Sequence, residues 1–263
     1  MTPLRIVTWN VNSLRARLPR VQELLEQHQP DVVLMQETKV SPEQFPHEEL
    51  ASLGYHAVDA SSGQWTGVAI AVRKELALED PKTDLFGSPV ASEARWVEAT
   101  VEGIRFASVY VINGRSLDHE MYFMKLEFLQ AMADRAADLR AAGTPMVIAG
   151  DTNVCPRDVD VYDPDAFAGA THVSVPERLA LQRVLDQGDL VDAHVQRYGE
   201  HAQQFTWWDY RAGHFHKGYG LRIDQHMVSR SLADGIADVR ILRDLRKGTK
   251  PSDHAPLELE LGR

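Results

Sequence analysis

The chain has 263 residues, 44% of them hydrophobic and 25% charged, a composition that supports a globular domain with a substantial core. Its net charge of −10, from 28 Lys+Arg against 38 Asp+Glu, argues against a protein that coats nucleic acid through bulk positive charge. A single cysteine, Cys155, excludes an internal disulfide and a cysteine-rich zinc site.

No run of about eighteen apolar residues is present to span a membrane. The opening residues lack the basic start and long apolar stretch of a signal peptide. A soluble protein in the cytoplasm, with no membrane partner, is expected.

The predicted elements mix strands and helices. Ile6–Trp9 is a short apolar run of strand length. Leu18–Gln29 reads as a helix, with Leu18, Val21, Leu24 and Leu25 on one face. Val32–Met35 and Val68–Val72 are further strands, and Arg95–Val101 alternates with the period of a half-buried one. Ala107–Ile112 is again apolar. Glu120–Ala142 is rich in strong helix formers and stops at Gly143-Thr144-Pro145. Met146–Ala149 reads as a strand, and a helix with Pro176 in its first turn runs to Gln187 and stops at Gly188. Leu221-Arg222-Ile223 and Leu257–Leu261 complete the strands. This mixture predicts an α/β or α+β domain. No linker interrupts it, so a single domain over residues 1–263 is expected.

The polar residues that follow these strands carry the chemistry. Asn10 and Asn12 follow the first strand, Gln36-Glu37 the second, and Asn113 the run that contains Tyr110. Gly150-Asp151-Thr152-Asn153 follows Met146–Ala149, Asp224 follows Ile223, and Ser252-Asp253-His254 precedes the last strand. Any single Asn or Asp here reads equally well as a turn former. Turns do not need glutamate or histidine, and strand-end loops are where scaffolds carry their sites.

Glu37 and Asp253 are hard oxygen donors of the kind Mg²⁺ or Mn²⁺ takes, and Mg²⁺ uses only one or two carboxylates. Asp151 with Asn153 suits activation and orientation of a water. His254 beside a carboxylate such as Asp224 suits an acid or a stabiliser of negative charge, and Tyr110 adds a phenol. The set suits metal-assisted hydrolysis of a phosphate ester. A serine-hydrolase elbow, a Walker loop and a dinucleotide fingerprint are all missing from the sequence.

Six segments, in order, resemble the exonuclease III family of abasic-site endonucleases. They are Trp9 to Ala16, Asp31 to Lys39, Gly150 to Pro156, Phe205 to Arg211, Gly220 to Asp224 and Pro251 to Pro256. The resemblance implies a four-layer α/β sandwich of two packed mixed β-sheets flanked by helices. It implies Mg²⁺-dependent cleavage of DNA 5′ to abasic sites, with Mn²⁺ as a substitute, and 3′-to-5′ exonuclease or 3′-end cleaning activity. The partner implied is double-stranded DNA with abasic sites or damaged 3′ ends, and the working state a monomer.

Carried over by position, Glu37 resembles the principal metal ligand and Asp253 a second carboxylate at the metal. Asn10 belongs with that group and, with Asn153, positions phosphate and water. Asp151 resembles the residue that activates water, Asp224 and His254 the carboxylate–imidazole pair, and Tyr110 the phenol at the scissile phosphate. Ile112 departs from the pattern, standing where many relatives carry proline.

For holding DNA, Trp207 resembles the wall of the abasic-sugar pocket and Leu221 its apolar neighbour, while Trp208 reads as core. Asn12, Asn113, Arg115, Arg211 and Arg222 are the expected substrate contacts. Arg15, Arg17 and Arg20, Lys217, and the group Arg240, Arg243, Arg246, Lys247 and Lys250 are further basic candidates for phosphate. His214-x-His216 reads as a polar loop rather than a metal site.

Two other functions compete: a phosphatase-type cousin with the same core chemistry, and a catalytically weak nucleic-acid-binding regulator on the same fold. The Trp207–Arg211 segment favours DNA over the first. The set Glu37, Asp151, Asp224, Asp253 and His254 argues against the second, because carboxylates repel phosphate unless a cation intervenes.

Overall fold

Apolar runs that lack polar alternation must be covered on both faces, and that requirement shapes the molecule. A computed structural model of the protein describes residues 3–262; Met1, Thr2 and Arg263, at the ends of the expected domain, lie outside the described residues. The strands are β1 (Leu4–Asn10), β2 (Val32–Gln36), β3 (Tyr55–Ala60), β4 (Val68–Arg73), β5 (Glu79–Lys82), β6 (Trp96–Val101), β7 (Ile104–Tyr110), β8 (Met146–Asp151), β9 (Leu190–Asp192), β10 (Asp224–Ser229), β11 (Ile236–Ile241) and β12 (Leu257–Leu261). The helices are α1 (Leu14–Gln27), α2 (His47–Ser52), α3 (Glu120–Ala141), α4 (Val175–Gly188), α5 (Ala193–Tyr198) and α6 (His214–Lys217).

They form two six-stranded mixed sheets, ordered β11-β12-β1-β2-β4-β3 and β5-β6-β7-β8-β10-β9. Each contains one parallel pair, β1 with β2 and β7 with β8. A parallel pair needs a crossover, and α1 and α3 supply the two crossovers.

One apolar layer lies between the sheets, with Ile6, Leu34 and Ile70 from the first meeting Val97, Phe106 and Val147 from the second. The outer face of the first sheet, Val7, Trp9 and Met35, packs on Leu14, Val21 and Leu24 of α1. The outer face of the second, Trp96, Val109 and Ile148, packs on Phe128 and Met132 of α3 and Val184 of α4. The result is the expected four-layer sandwich.

Three expectations about elements change. Helix α1 begins at Leu14 rather than Leu18, although Pro19 lies inside it. Its start is fixed from outside, since the Ser13 and Leu14 amides donate to the Glu37 and Thr38 carbonyls at 2.7 and 2.9 Å. Val111 and Ile112 are buried but lie beyond β7, which ends at Tyr110. Leu221 makes only isolated bridges to Val161 and Trp207, and Asp224 begins strand β10 instead of ending one. The run Asp224-Gln225-His226 is polar, yet all of β10 is buried between β8 and β9.

Candidate active site

The topology brings one edge of both sheets together. The parallel strands β1, β2, β7 and β8 end there, at Asn10, Gln36, Tyr110 and Asp151. Strand β10 runs antiparallel to β8 with Asp224 opposite Asp151, so its start lies at the same edge. Strand β12 runs antiparallel to β1 with Leu257 opposite Thr8, which places the preceding Asp253 and His254 there as well. Two bridges lock the sheets at this edge. Gln36 Nε2 donates to Ser108 Oγ at 2.9 Å, and Asn10 Nδ2 donates to Asp151 Oδ2 at 2.9 Å.

A cavity of about 190 Å³ opens here, lined by Glu37, Tyr110, Asn113, Asp151, Asn153, Asp253 and His254, with Trp207, Leu221, Ile223 and His172. A larger cleft of about 780 Å³, between α1 and β11, contains none of these groups. Several residues at the site hold left-handed backbone without being glycine: Asn12 (φ 45°), Glu37 (φ 52°), Lys39 (φ 53°), Arg115 (φ 61°) and Asn153 (φ 51°). Such conformations are strained and persist where surrounding contacts over-determine them.

His254 Nδ1 lies 2.8 Å from Asp224 Oδ2, while Nε2 is 3.8 Å from Asp151 Oδ2, an ion-pair distance and not a hydrogen bond. Burial works to lower the imidazole pKa, but Asp224, with Asp151 and Asp253 behind it, raises it to about 10. The ring is therefore cationic at neutral pH. Burial, reinforced by Asp224 and Glu37, raises the Asp151 carboxyl to about 7 against the opposing charge of His254. Burial and then Glu37 push the Tyr110 phenol well above its ordinary value, so it stays protonated. Arg95 stacks over the Tyr110 ring at 4.5 Å, and its Nη1 donates to the Tyr110 carbonyl at 3.3 Å.

Burial works to raise Asp253, but His254 and hydrogen bonds from Trp207 Nε1 and Asn12 Nδ2, both 3.0 Å, hold it below the usual carboxylate range. Glu37 accepts from Asn10 Nδ2 at 2.8 Å and pairs with Lys39 Nζ at 2.5 Å. The cavity thus gathers three carboxylates, Glu37, Asp151 and Asp253, against one imidazolium. Oxygen donors of this kind are what a hard divalent cation takes. Among the described residues, no three His, Cys, Asp or Glu side chains form a closed cation cage. A site of two carboxylates suits an ion that keeps part of its water shell.

Several sequence assignments change. Asn10, grouped with the metal ligands, is fully buried, and its amide faces two carboxylates. Its Oδ1 accepts the Asn12 backbone amide at 3.0 Å, so the residue ties Glu37 to Asp151 from inside the core. Asn12, expected to touch substrate, holds Asp253 with its amide nitrogen and accepts Lys39 Nζ at 2.7 Å.

Arg222, also expected to touch substrate, is 1% exposed; Nε donates to Asp160 Oδ1 at 2.7 Å and Nη2 to Asp192 Oδ2 at 2.8 Å. Two buried carboxylates neutralise it and no face remains for DNA. Among the other basic candidates, Arg20 binds the carbonyls of Asp244, Leu245 and Lys247, and Arg240 binds Glu258 and Glu260. Arg246 is buried on the Asp253 and Trp208 carbonyls.

Arg15, Arg115, Arg211, Lys217, Arg243, Lys247 and Lys250 are exposed. Arg211 pairs with Asp209 at 2.6 Å, and Arg115 follows Asn113 in an exposed loop. Arg17 donates to the Tyr210 hydroxyl at 3.0 Å. Trp207 and Leu221 line the cavity as expected, and Trp208 is fully buried core. His214 and His216 lie on the short helix α6 and not in a loop.

The sequence reading missed Ile223 and His172, which complete the cavity wall, and also Lys39 and Arg95. Ile223 had a signal, since it shares the Leu221–Asp224 segment. Lys39 had one too, at the end of the Asp31–Lys39 segment, while His172 and Arg95 have none in local sequence because their role comes from tertiary neighbours.

A two-sheet sandwich that closes a carboxylate-rich cavity with a buried carboxylate–imidazolium pair defines a hydrolase acting on phosphate esters. The chain belongs to the Endonuclease/Exonuclease/phosphatase family, which it matches over residues 7–254. It is similar to exodeoxyribonuclease III of Haemophilus influenzae, at 34% identity over 98% of this chain and 99% of that protein. It is also similar to a solved 3′ phosphatase from Neisseria bound to product DNA hairpin, with TM-score 0.94 and 36% identity over 99% of this chain and 100% of that one. An AP endonuclease from Archaeoglobus fulgidus superposes with TM-score 0.91 at 33% identity, covering 98% of this chain and 99% of that one.

Proposed function

We propose that the protein is a Mg²⁺-dependent DNA-repair phosphodiesterase that cuts duplex DNA 5′ to abasic sites and also trims or cleans 3′ ends. The observation that carries this reading is the cavity itself. It is lined by Glu37, Asp151, Asp253 and His254 together with the apolar surfaces of Trp207, Leu221 and Ile223. Its volume of about 190 Å³ is below the roughly 300–1,000 Å³ of pockets that take drug-sized ligands. A sugar without its base suits that space better than a whole nucleotide. The names of the relatives, which span exonuclease, 3′ phosphatase and AP endonuclease, support the same range of substrates.

In this reading Asp151 takes a proton from water as its oxygen attacks phosphorus, and the bond from phosphorus to the 3′ oxygen of the preceding nucleotide breaks. Cationic His254, oriented by Asp224, donates a hydrogen bond to a phosphoryl oxygen as charge develops there. The protonated Tyr110 phenol donates to the same phosphate. Asn113 and Asn153 orient the phosphate and water, Trp207 and Leu221 hold the abasic sugar, and Arg115 and Arg211 meet the flanking duplex. Glu37 and Asp253 would hold the Mg²⁺ or Mn²⁺, which polarises a phosphoryl oxygen and offsets the carboxylate charge. All these groups come from one chain, which supports a monomer as the working state. The cytoplasmic setting expected from the sequence belongs to the same proposal.

The test is a labelled duplex carrying a tetrahydrofuran abasic analogue, beside an intact duplex with a recessed 3′ end, each with Mg²⁺ and with EDTA. Cleavage at the analogue that needs the cation, and that Glu37→Ala abolishes or makes dependent on high Mg²⁺ or Mn²⁺, is the expected result. Activity unchanged in EDTA would remove the metal from the proposal. Turnover of the recessed end alone would remove abasic specificity.

A further inference from the structure

Beneath the cavity, the first turns of α3 and α4 lie side by side, with the Tyr122 and Ser174 hydroxyls 2.7 Å apart. Between them sits Lys125, fully buried. Its ammonium reaches the Asn153 carbonyl at 2.6 Å, the Asn113 carbonyl at 3.3 Å and Glu177 Oε1 at 2.5 Å. Glu177 is also fully buried and is further held by Thr171 Oγ1 at 2.7 Å and the His172 amide at 2.9 Å. The Thr171 hydroxyl has one proton, shared between Glu177 and the Asn113 carbonyl 3.1 Å away, and His172 Nδ1 lies 2.5 Å from the Asn153 carbonyl.

A buried ion pair is a poor device for stability alone, because apolar side chains of similar size fill such a space at least as well. What the ammonium does here, and a methylene could not, is gather two carbonyls from two separate loops. Those loops carry the Asn113 and Asn153 side chains into the cavity, where Asn113 Nδ2 meets Asn153 Oδ1 at 3.2 Å. Asn153 holds φ 51° and the Arg115 that follows Asn113 holds φ 61°, so both loops lie off the ordinary backbone minima and need external restraint.

We propose that Lys125, neutralised by Glu177, is a positioning residue for phosphate-ester hydrolysis: by binding the Asn113 and Asn153 carbonyls it sets the two asparagines that line the cavity. This rests on the reading of the cavity as the hydrolytic site. It assigns Lys125 an effect on rate and not on substrate affinity.

The experiment compares Lys125→Met, Lys125→Met/Glu177→Gln and Thr171→Val with the wild type, in thermal melting, kcat, KM and hydrogen exchange. Rates are taken on whichever of three substrates the wild type hydrolyses: tetrahydrofuran duplex, recessed 3′ end or 3′-phosphate end. Failure of the abasic reading is then seen in the wild type and stays separate from failure of this one. Lys125→Met is expected to melt lower and to lose about 10²-fold in kcat, the scale of a small misplacement of reacting groups, with KM within about threefold. In the double variant the unpaired carboxylate is gone, so melting recovers while kcat does not. Hydrogen exchange should quicken in residues 111–117 and 151–155 in both, a readout that needs no turnover. Thr171→Val keeps the shape and all the charges but removes the hydroxyl proton that Glu177 and the Asn113 carbonyl share. It should lower kcat about threefold to tenfold, one net hydrogen bond, and it carries the test if neither Lys125 variant folds. A double variant with wild-type kcat, or Thr171→Val with unchanged kcat and exchange, overturns the proposal.

Discussion

His254 is held between Asp224 and Asp151, and its charge decides what it can contribute. With the imidazole raised to about 10 and Asp151 raised to about 7, activity should rise as Asp151 loses its proton and fall as His254 loses its own. The two apparent values belong to the coupled group and are read from a bell-shaped kcat/KM profile. Asp224→Asn removes the nearest counter-charge, so the alkaline limb should move to lower pH. An alkaline limb that stays in place would mean that His254 works as a neutral ring. His254→Ala and Asp224→Ala should each lower kcat by about 10²–10⁴-fold, with the double variant little worse than the worse single. Multiplicative losses in folded variants would show that the pair does not act as a unit.

Trp207 has two roles, because its ring lines the cavity and its Nε1 holds Asp253. Trp207→Ala should weaken binding by about 1–3 kcal/mol, and more for abasic than for intact duplex. Trp207→Phe keeps a ring but drops the bond to Asp253, so its loss should fall on cation dependence. Equal losses of Trp207→Ala on both duplexes would reduce the residue to a general DNA contact.

At the scale of elements, β8 shows how closely the strand that delivers Asp151 must fit. Gly150 has φ 153°, and a Cβ there would run into the Val109 carbonyl of the neighbouring β7. Only glycine lets the two parallel strands pair up to the residue before the carboxylate. Gly150→Ala should cost about 1–3 kcal/mol through overpacking and should move Asp151 away from Asn10 and His254. Urea unfolding reads the first effect and kcat the second. An unchanged midpoint with full activity would mean that β7 yields easily and the pairing is loose. Helix α1 shows the same dependence on neighbours, since its first turn is anchored on the Glu37 and Thr38 carbonyls despite Pro19.

For the molecule as a whole, the buried His194 and His226 and the partly buried His172 set the response to acid. Burial lowers His226 to about 3; burial, then Lys125, lowers His172 to about 4; burial, then Arg222, lowers His194 to about 4. In the unfolded chain each titrates near 6.5. Their contribution to stability is therefore full above about pH 6.5 and is lost as pH falls toward 4, because the unfolded state takes up the protons. Asp151, raised to about 7, works the other way across this window and offsets one of the three. His254 is protonated in both states below 6.5, and its contribution is lost only as pH rises toward 10. The cation-free protein should thus unfold at lower urea at pH 5 than at pH 7. His226→Leu should flatten that slope. A midpoint independent of pH over this range would show that these histidines are not buried in neutral form.

The sequence by itself determined the apolar strands, the three longer helices and the set of polar groups at the strand ends. These depend on periodicity and on side-chain type, which are local properties. Glu37 and His254 were legible because turns need neither, and Asp151 and Asp253 because they recur with them at the strand ends. The tertiary structure alone decided which charges face substrate and which are consumed inside. Arg222 is neutralised by Asp160 and Asp192, Asn10 is closed between Glu37 and Asp151, and Lys125 is buried on Glu177 in a different helix. It also made a buried strand of the polar run from Asp224. A charged or amide side chain looks the same in sequence whether water or a distant carboxylate satisfies it. Its partner lies tens of residues away, and only the folded chain brings the two within hydrogen-bond reach.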